Sequence, residues 1–173
     1  METNKVIAAR KSVRAYKGEQ LPEEILNNIL AAGCAAPVGM GRYDTLHLTL
    51  VQDKEALGKL SGGVAQATNR QGDPFYGAPA VVLISSKEAQ VPGIDYVNAG
   101  CIAENMMLAA VDKGIGSVIV WAAGMTVEAD ADLKKSLAVP EGYKALFSVA
   151  LGHAAAEEQT EKDLKITIDM NRI

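Results

Sequence analysis

The 173-residue chain has only two cysteines and two histidines and no Cys-x-x-Cys pair. A zinc centre needs closely spaced ligands of these types, so a His- or Cys-rich metal site is excluded. Cys34 and Cys101 fall in Ala/Gly-rich helical stretches and are expected to be buried structural thiols of a reducing compartment. Long apolar runs are missing too. The longest uncharged stretch, Ile25 to Gly41, has 17 residues and the next, Gly114 to Val127, has 14, both short of the roughly 20 that a membrane-spanning helix needs. Seventeen Lys plus Arg against 21 Asp plus Glu give a net charge of −4. That balance advertises neither nucleic acid nor an anionic membrane surface as a partner. The start of the chain offers only Val6-Ile7-Ala8-Ala9 before two cations, too short for the core of a secretory signal, so a cytoplasmic protein is expected.

Standard nucleotide motifs fail on inspection. Gly58-Lys59 is followed by Leu60 and lacks the earlier glycine of a P-loop. Gly39-Met40-Gly41 lacks the third glycine of a dinucleotide fingerprint and follows no strand. His47 and His153 read as packed or half-exposed side chains rather than catalytic bases.

What is present is one domain, residues 1–173, with 49% hydrophobic residues, enough to bury a sizeable core. Period and punctuation predict helices over residues 3–9, from Leu21 to near Gly33, after Asp53 (a short one through Leu60), over residues 95–113 (the central helix) and over 128–137. Strands are expected at 45–50, 80–85, 117–121 and 145–151. The continuous run Ala80 to Ser85 suits a strand covered on both faces. Met106 and Met107 read as core or dimer interface, Glu104 and Asn105 as polar pairings across helices or at that interface, and Trp121 as core. The late alternating segment Leu164–Ile168 cannot bury its isoleucines alone and is expected to pack on another subunit.

The informative cluster is Arg10-Lys11-Ser12-Val13-Arg14. In extended geometry Arg10, Ser12 and Arg14 share one side and span roughly 13 Å, the reach of a phosphorylated cofactor. Guanidinium forks and a hydroxyl suit phosphate, at about 1.5–3 kcal/mol per charge-assisted hydrogen bond. Spacing alone leaves a solvated basic turn open.

Five segments in order decide between these readings. Arg10-Lys11-Ser12-Val13-Arg14-Ala15-Tyr16, Ala35-Ala36-Pro37-x-Gly39, Gly77-Ala78-Pro79, Gly114-Ile115-Gly116-Ser117 leading to Trp121, and Ala150-Leu151-Gly152 resemble the FMN-dependent nitroreductase family across nearly the whole chain. The resemblance implies an α+β fold, a mainly antiparallel central sheet flanked by helices, and an intertwined homodimer with FMN at the subunit interface. It implies that Arg10, Lys11 and Ser12 hold the phosphate and ribityl chain, and that Arg14 lies near the pyrimidine end. Ala36, Pro37, Val38 and Gly39 would come from the second copy. Backbone at Ala122, Ala123 and Gly124 would face flavin N5, and Lys165, rather than Lys162, would complete the phosphate site.

The implied activity is an oxidoreductase that takes electrons from NAD(P)H and passes them, by a ping-pong mechanism, to a small acceptor such as a nitroaromatic or quinone. A cation about 4 Å from the flavin N1–C2=O edge would favour the reduced state by roughly 4 kcal/mol at an effective dielectric of 20. Because the cofactor performs the chemistry, missing acid, base and nucleophile motifs are no obstacle. The chain departs from the common pattern at Val38, Gly41 and Tyr43-Asp44, leaving fewer side chains to reach the flavin, and its shortness predicts an open pocket without a lid. A non-catalytic FMN carrier or sensor is the alternative, and flavin cleavage or dehalogenation a third reading.

Overall fold

The computed structural model describes residues 2–156 and 161–173; residues 157–160 of the charged tail lie outside that description. In chain order the elements are α1 (Thr3–Ala9), α2 (Glu23–Cys34), two short 3-10 turns, β1 (Leu46–Val51), α3 (Lys54–Thr68), β2 (Ala80–Lys87), α4 (Ile94–Asp112), β3 (Gly116–Val120), α5 (Ala122–Ala129), α6 (Ala131–Ser136) and β4 (Tyr143–Gly152). The four strands form one antiparallel sheet in the order β1-β2-β4-β3. This is the expected α+β architecture.

The apolar run in β2 is explained by its two neighbours. Ala80, Val82 and Ile84 point into a core formed with α2 and α4, while Val81 and Leu83 point into a second core with α3, α5 and α6. Strand period two therefore divides one hydrophobic segment between two layers. Each fully buried Leu, Ile or Met contributes about 1.5–3 kcal/mol. Such residues include Ile29, Leu83, Ile84 and Met106. The central helix α4 buries Ala99, Ile102, Ala103, Met106, Met107 and Ala110, and it is tied to α2 by the Asn105 side-chain amide, which donates to the Ala32 carbonyl at 3.1 Å. Gly114 stops the helix at φ +71, a left-handed conformation that glycine adopts without a Cβ penalty.

Several sequence expectations are corrected. The helix after Asp53 has 15 residues rather than a short run, because Val64 continues its buried stripe beyond Leu60. The single helix expected over 128–137 is two. Asp130, extended at φ −127 and ψ 101, ends α5 and caps α6 by accepting from the Asp132 and Leu133 N–H groups. Cys34 is exposed and Cys101 half-buried, the buried face of α2 being Leu26, Ile29 and Gly33 rather than Cys34. Trp121 is not core: it is 52% exposed, lying at the end of an edge strand with its ring stacked between Phe147 and Tyr96. The tail, by contrast, is as expected of a segment that cannot bury its isoleucines alone: Leu164–Ile168 leaves Ile166 and Ile168 70% and 82% exposed within one chain.

Candidate functional site

The basic strip begins where α1 ends. Arg10 leaves the helix at φ −61 and ψ 122 while its N–H still donates to Val6, and the chain then runs extended. Ser12 pairs in parallel with Ser117 of β3, and the Val13 N–H donates to the Ser117 carbonyl at 3.0 Å. On its other side, the Ala155 N–H donates to Ala15 and the Lys17 N–H to His153. Residues 12–17 are thus pinned between the edge strand and the segment that follows β4. A cavity of about 230 Å³ opens there, bounded by residues 11–15 with Ala154 and Ala156.

Arg10 is largely covered, at 23% side-chain exposure, and its Nε lies 3.6 Å from Glu104 Oε1 on α4. Ser12 and Arg14 are exposed and Lys11 is half-buried. Tyr16 closes the strip from below. Its hydroxyl is buried without a hydrogen-bond partner among the described residues, and burial, assisted by neighbouring Tyr76, pushes the phenol above its ordinary value.

A larger cleft, about 550 Å³, lies between the C-terminal end of α3, residues 70–76 and the end of β3. Arg70, Tyr76, Ile119, Trp121 and Ala122 bound it. Arg70 Nη1 donates to the Tyr76 hydroxyl at 3.1 Å, and its Cζ sits 4.6 Å from the Tyr76 ring centroid. Arg14, whose Nη1 donates to the Ser12 carbonyl at 3.4 Å, adds its positive charge to the surroundings of the same phenol. Partial burial would raise the Tyr76 phenol, but the hydrogen bonds and charges of Arg70 and then Arg14 outweigh it and hold it below the ordinary tyrosine value.

Asp73 builds the turn that presents Tyr76. Its carboxylate accepts from Ser61 Oγ at 2.7 Å, from the Phe75 N–H at 2.9 Å and from the Gly77 N–H at 2.7 Å. These bonds hold Tyr76 at φ +59, uncommon for a bulky side chain. Asp73→Ala is expected to destabilise the protein by about 1.5–3 kcal/mol, the range for hydrogen bonds to a charged group. Equilibrium urea unfolding checks this, and an unchanged midpoint would show that the turn stands without its carboxylate.

Within one chain none of the remaining site residues bounds the cavity at the strip. Ala36 is fully buried and its carbonyl accepts from the Tyr43 hydroxyl at 3.0 Å. Pro37 is exposed, Val38 and Gly39 are half-buried, and the Gly39 N–H donates to Asn98 Oδ1 on α4 at 2.9 Å. Gly39 bounds a third cavity of about 130 Å³, not the two described above. Asp44, expected to leave the loop poor in flavin contacts, is paired with Arg42 at 2.9 Å. Ala122 lines the large cleft, whereas Ala123 and Gly124 are buried in the first turn of α5. Lys165 is 68% exposed and 3.9 Å from Asp163, and the Lys162 N–H docks on the Ala8 carbonyl. Arg70 and Tyr76 escaped the sequence reading. Their one signal was that Arg70 is the sole cation between Lys59 and Lys87.

The sequence profile described as the nitroreductase family matches residues 7–153. The chain belongs to the nitroreductase family. A nitroreductase from Bacteroides fragilis, solved with bound FMN, is 34% identical, covers 99% of this chain and 100% of its own, and superposes with a TM-score of 0.84. One from Desulfitobacterium hafniense, also solved with bound FMN, is 29% identical over 99% of this chain and 100% of its own, with a TM-score of 0.85. A curated Archaeoglobus fulgidus protein, provisionally named NADH dehydrogenase/NAD(P)H nitroreductase, is 32% identical over 91% of this chain and 88% of its own length. The family and fold expected from the five segments are those found. Among the described residues, no helix of this nitroreductase is long and apolar enough to cross a membrane.

Proposed function

We propose that this NAD(P)H-dependent FMN oxidoreductase of the nitroreductase family works by a ping-pong cycle, with a nitroaromatic or quinone as the small acceptor. The observation that carries the reading is the alignment of the Arg10–Arg14 strip along the β3 edge, whose far end opens into a cleft bounded by Arg70, Tyr76 and Trp121. The donor set fits the cofactor. Three cations and a hydroxyl suit a phosphate on a chain that is otherwise acidic, and 550 Å³ lies within the roughly 300–1,000 Å³ of cofactor pockets. When bound, FMN supplies the two-electron redox chemistry.

The chain's own residues bind and orient. Arg10, Lys11 and Ser12 would take the phosphate and ribityl end, leaving the Arg14 and Arg70 guanidiniums to favour negative charge on the pyrimidine edge. The backbone from Ala122 to Gly124 would face N5, with Ala122 nearest the cleft. The Ala36–Gly39 loop would serve the site of a second copy, and Lys165 would close the phosphate end. Exposed Leu164, Ile166, Ile168 and Met170 support a homodimer in which those apolar side chains find cover. A cytoplasmic location agrees with the two free thiols.

The decisive experiment mixes the purified protein with NADPH under anaerobic conditions. Rapid bleaching of the flavin absorbance is expected, and re-oxidation by added quinone completes the cycle. A flavin that stays oxidised would make the protein a carrier, and a colourless protein that ignores added FMN would remove the cofactor assignment altogether.

A further inference from the structure

We infer that Asn98 on α4 is a positioning residue: its side-chain oxygen holds the backbone of the Ala36–Gly39 loop in place for the flavin site of a second copy. This rests on the FMN and homodimer reading above and deepens it with a side chain whose own contact is with the loop.

Asn98 differs from everything buried beside it. It is 5% exposed, on a helix whose other buried residues are Ala, Ile and Met, and a buried amide costs stability unless its polar atoms are satisfied. Its Oδ1 accepts from the Gly39 N–H at 2.9 Å. Among the described residues this is the one hydrogen bond that ties residues 37–41 to another element. The Gly41 N–H donates to Val38 and the Arg42 N–H to Gly39, both inside the loop. Gly39 suits the seat, because a Cβ there would meet Ile94 Cδ1 and Cγ1 at 2.9 Å. Ile94 and Asn98 are four residues apart on α4 and so share the face on which the loop rests.

The loop depends on such an anchor. From Ala35 to Gly41 it carries no polar side chain, so it offers a flavin only backbone and apolar surface, and what it contributes depends on where that backbone stands. Met40 is 70% exposed and held left-handed at φ 56, a conformation that a non-glycine residue keeps only where its neighbours impose it. The base of the loop is fixed separately, by the Tyr43 hydroxyl donating to the Ala36 carbonyl at 3.0 Å. Without Asn98 Oδ1 the Gly39 N–H turns to water and the tip is released, while the base and the Arg10–Arg14 strip on the β3 edge stay where they are.

Asn98→Ala removes the acceptor, whereas Asn98→Asp keeps an oxygen at the same place. FMN titrated into the cofactor-free homodimers is expected to bind Asn98→Ala about tenfold more weakly and Asn98→Asp within about twofold of the parent, since one hydrogen bond is lost in the first and kept in the second. Should Asn98→Ala not fold, Gly39→Ala takes its place, lifting the loop off Ile94 from the other side. A hybrid dimer gives a readout that impaired packing alone would not produce. An Arg10→Ala subunit is co-expressed with an Asn98→Ala subunit under two tags, and the mixed dimer is isolated. With the loop serving the other copy, both defects fall on one site, and the second site binds one FMN per dimer with parent affinity. With the loop serving its own chain, each site carries one defect and neither has parent affinity. That second pattern, or an Asn98→Ala protein that binds FMN as the parent does, or an Asn98→Asp protein no better than Asn98→Ala, would overturn the role of Asn98 and leave the flavin reading standing. A parent protein that takes up no FMN would strike the flavin reading itself, and this inference with it.

Discussion

Arg10→Ala is expected to lose its flavin during purification while remaining folded. The strip holds its shape through backbone bonds to Ser117, His153 and Ala155 rather than through the Arg10 side chain. That side chain makes one long ion pair with half-exposed Glu104, an interaction worth at most about 1 kcal/mol to stability. Against this, a guanidinium on a phosphate supplies two charge-assisted hydrogen bonds at about 1.5–3 kcal/mol each. Every 1.4 kcal/mol is a factor of ten in affinity, so the dissociation constant for FMN should rise roughly 100-fold or more. Arg14→Ala should separate the two ends of the site. It leaves the phosphate contacts in place and retains part of the flavin, yet slows reduction by NADPH, because the cation assigned to the pyrimidine end is gone. Flavin occupancy read from the absorbance of the purified variants, equal to the parent in both, would refute the assignment.

Gly124→Ala should be the most damaging substitution outside the strip. A Cβ at that position would overlap the Leu146 carbonyl, with Leu146 C and Phe147 N directly behind it. No rotamer relieves a collision between a Cβ and backbone, so α5 must lift away from β4, exposing Ala123 and Val127, both fully buried. The cost reaches at least the roughly 3 kcal/mol upper end of ordinary overpacking, which corresponds to a fall of about 6–12 °C in Tm for a domain of this size. Because α5 begins at the cleft with Ala122, flavin content should fall with it. Thermal unfolding checks the prediction, and a midpoint within about 2 °C of the parent would show that the helix can be lifted without loss.

The regular elements were legible wherever one physical pattern dominated. β2 is seven apolar or small residues bounded by Pro79 and Lys87, and only a strand covered on both sides accommodates that. Helix α2 follows its stripe of Leu26, Ile29 and Leu30, and α4 its alanine-rich run to Gly114. Misreadings arose where local chemistry competed with the pattern. Asp130 carries enough capping strength to interrupt what the apolar positions would have continued. Trp121 reads as core in the sequence, but an edge strand has a neighbour on one side only, and stacking on Tyr96 and Phe147 covers part of the indole while leaving half of it exposed. Arg70 went unnoticed because one cation in a polar connection has no periodicity to betray it.

The sequence by itself determined the two-sided sheet, the helix that lies against it and the chemistry of the Arg10–Arg14 strip, because burial period and side-chain type are properties of neighbours along the chain. Only the tertiary structure decided that the strip lies on the β3 edge and that it docks on the Tyr76 turn, where the Tyr16 N–H donates to the Tyr76 carbonyl. Those meetings join segments far apart in the chain, and they depend on which buried faces fit together and on where the Asp73 turn places Tyr76.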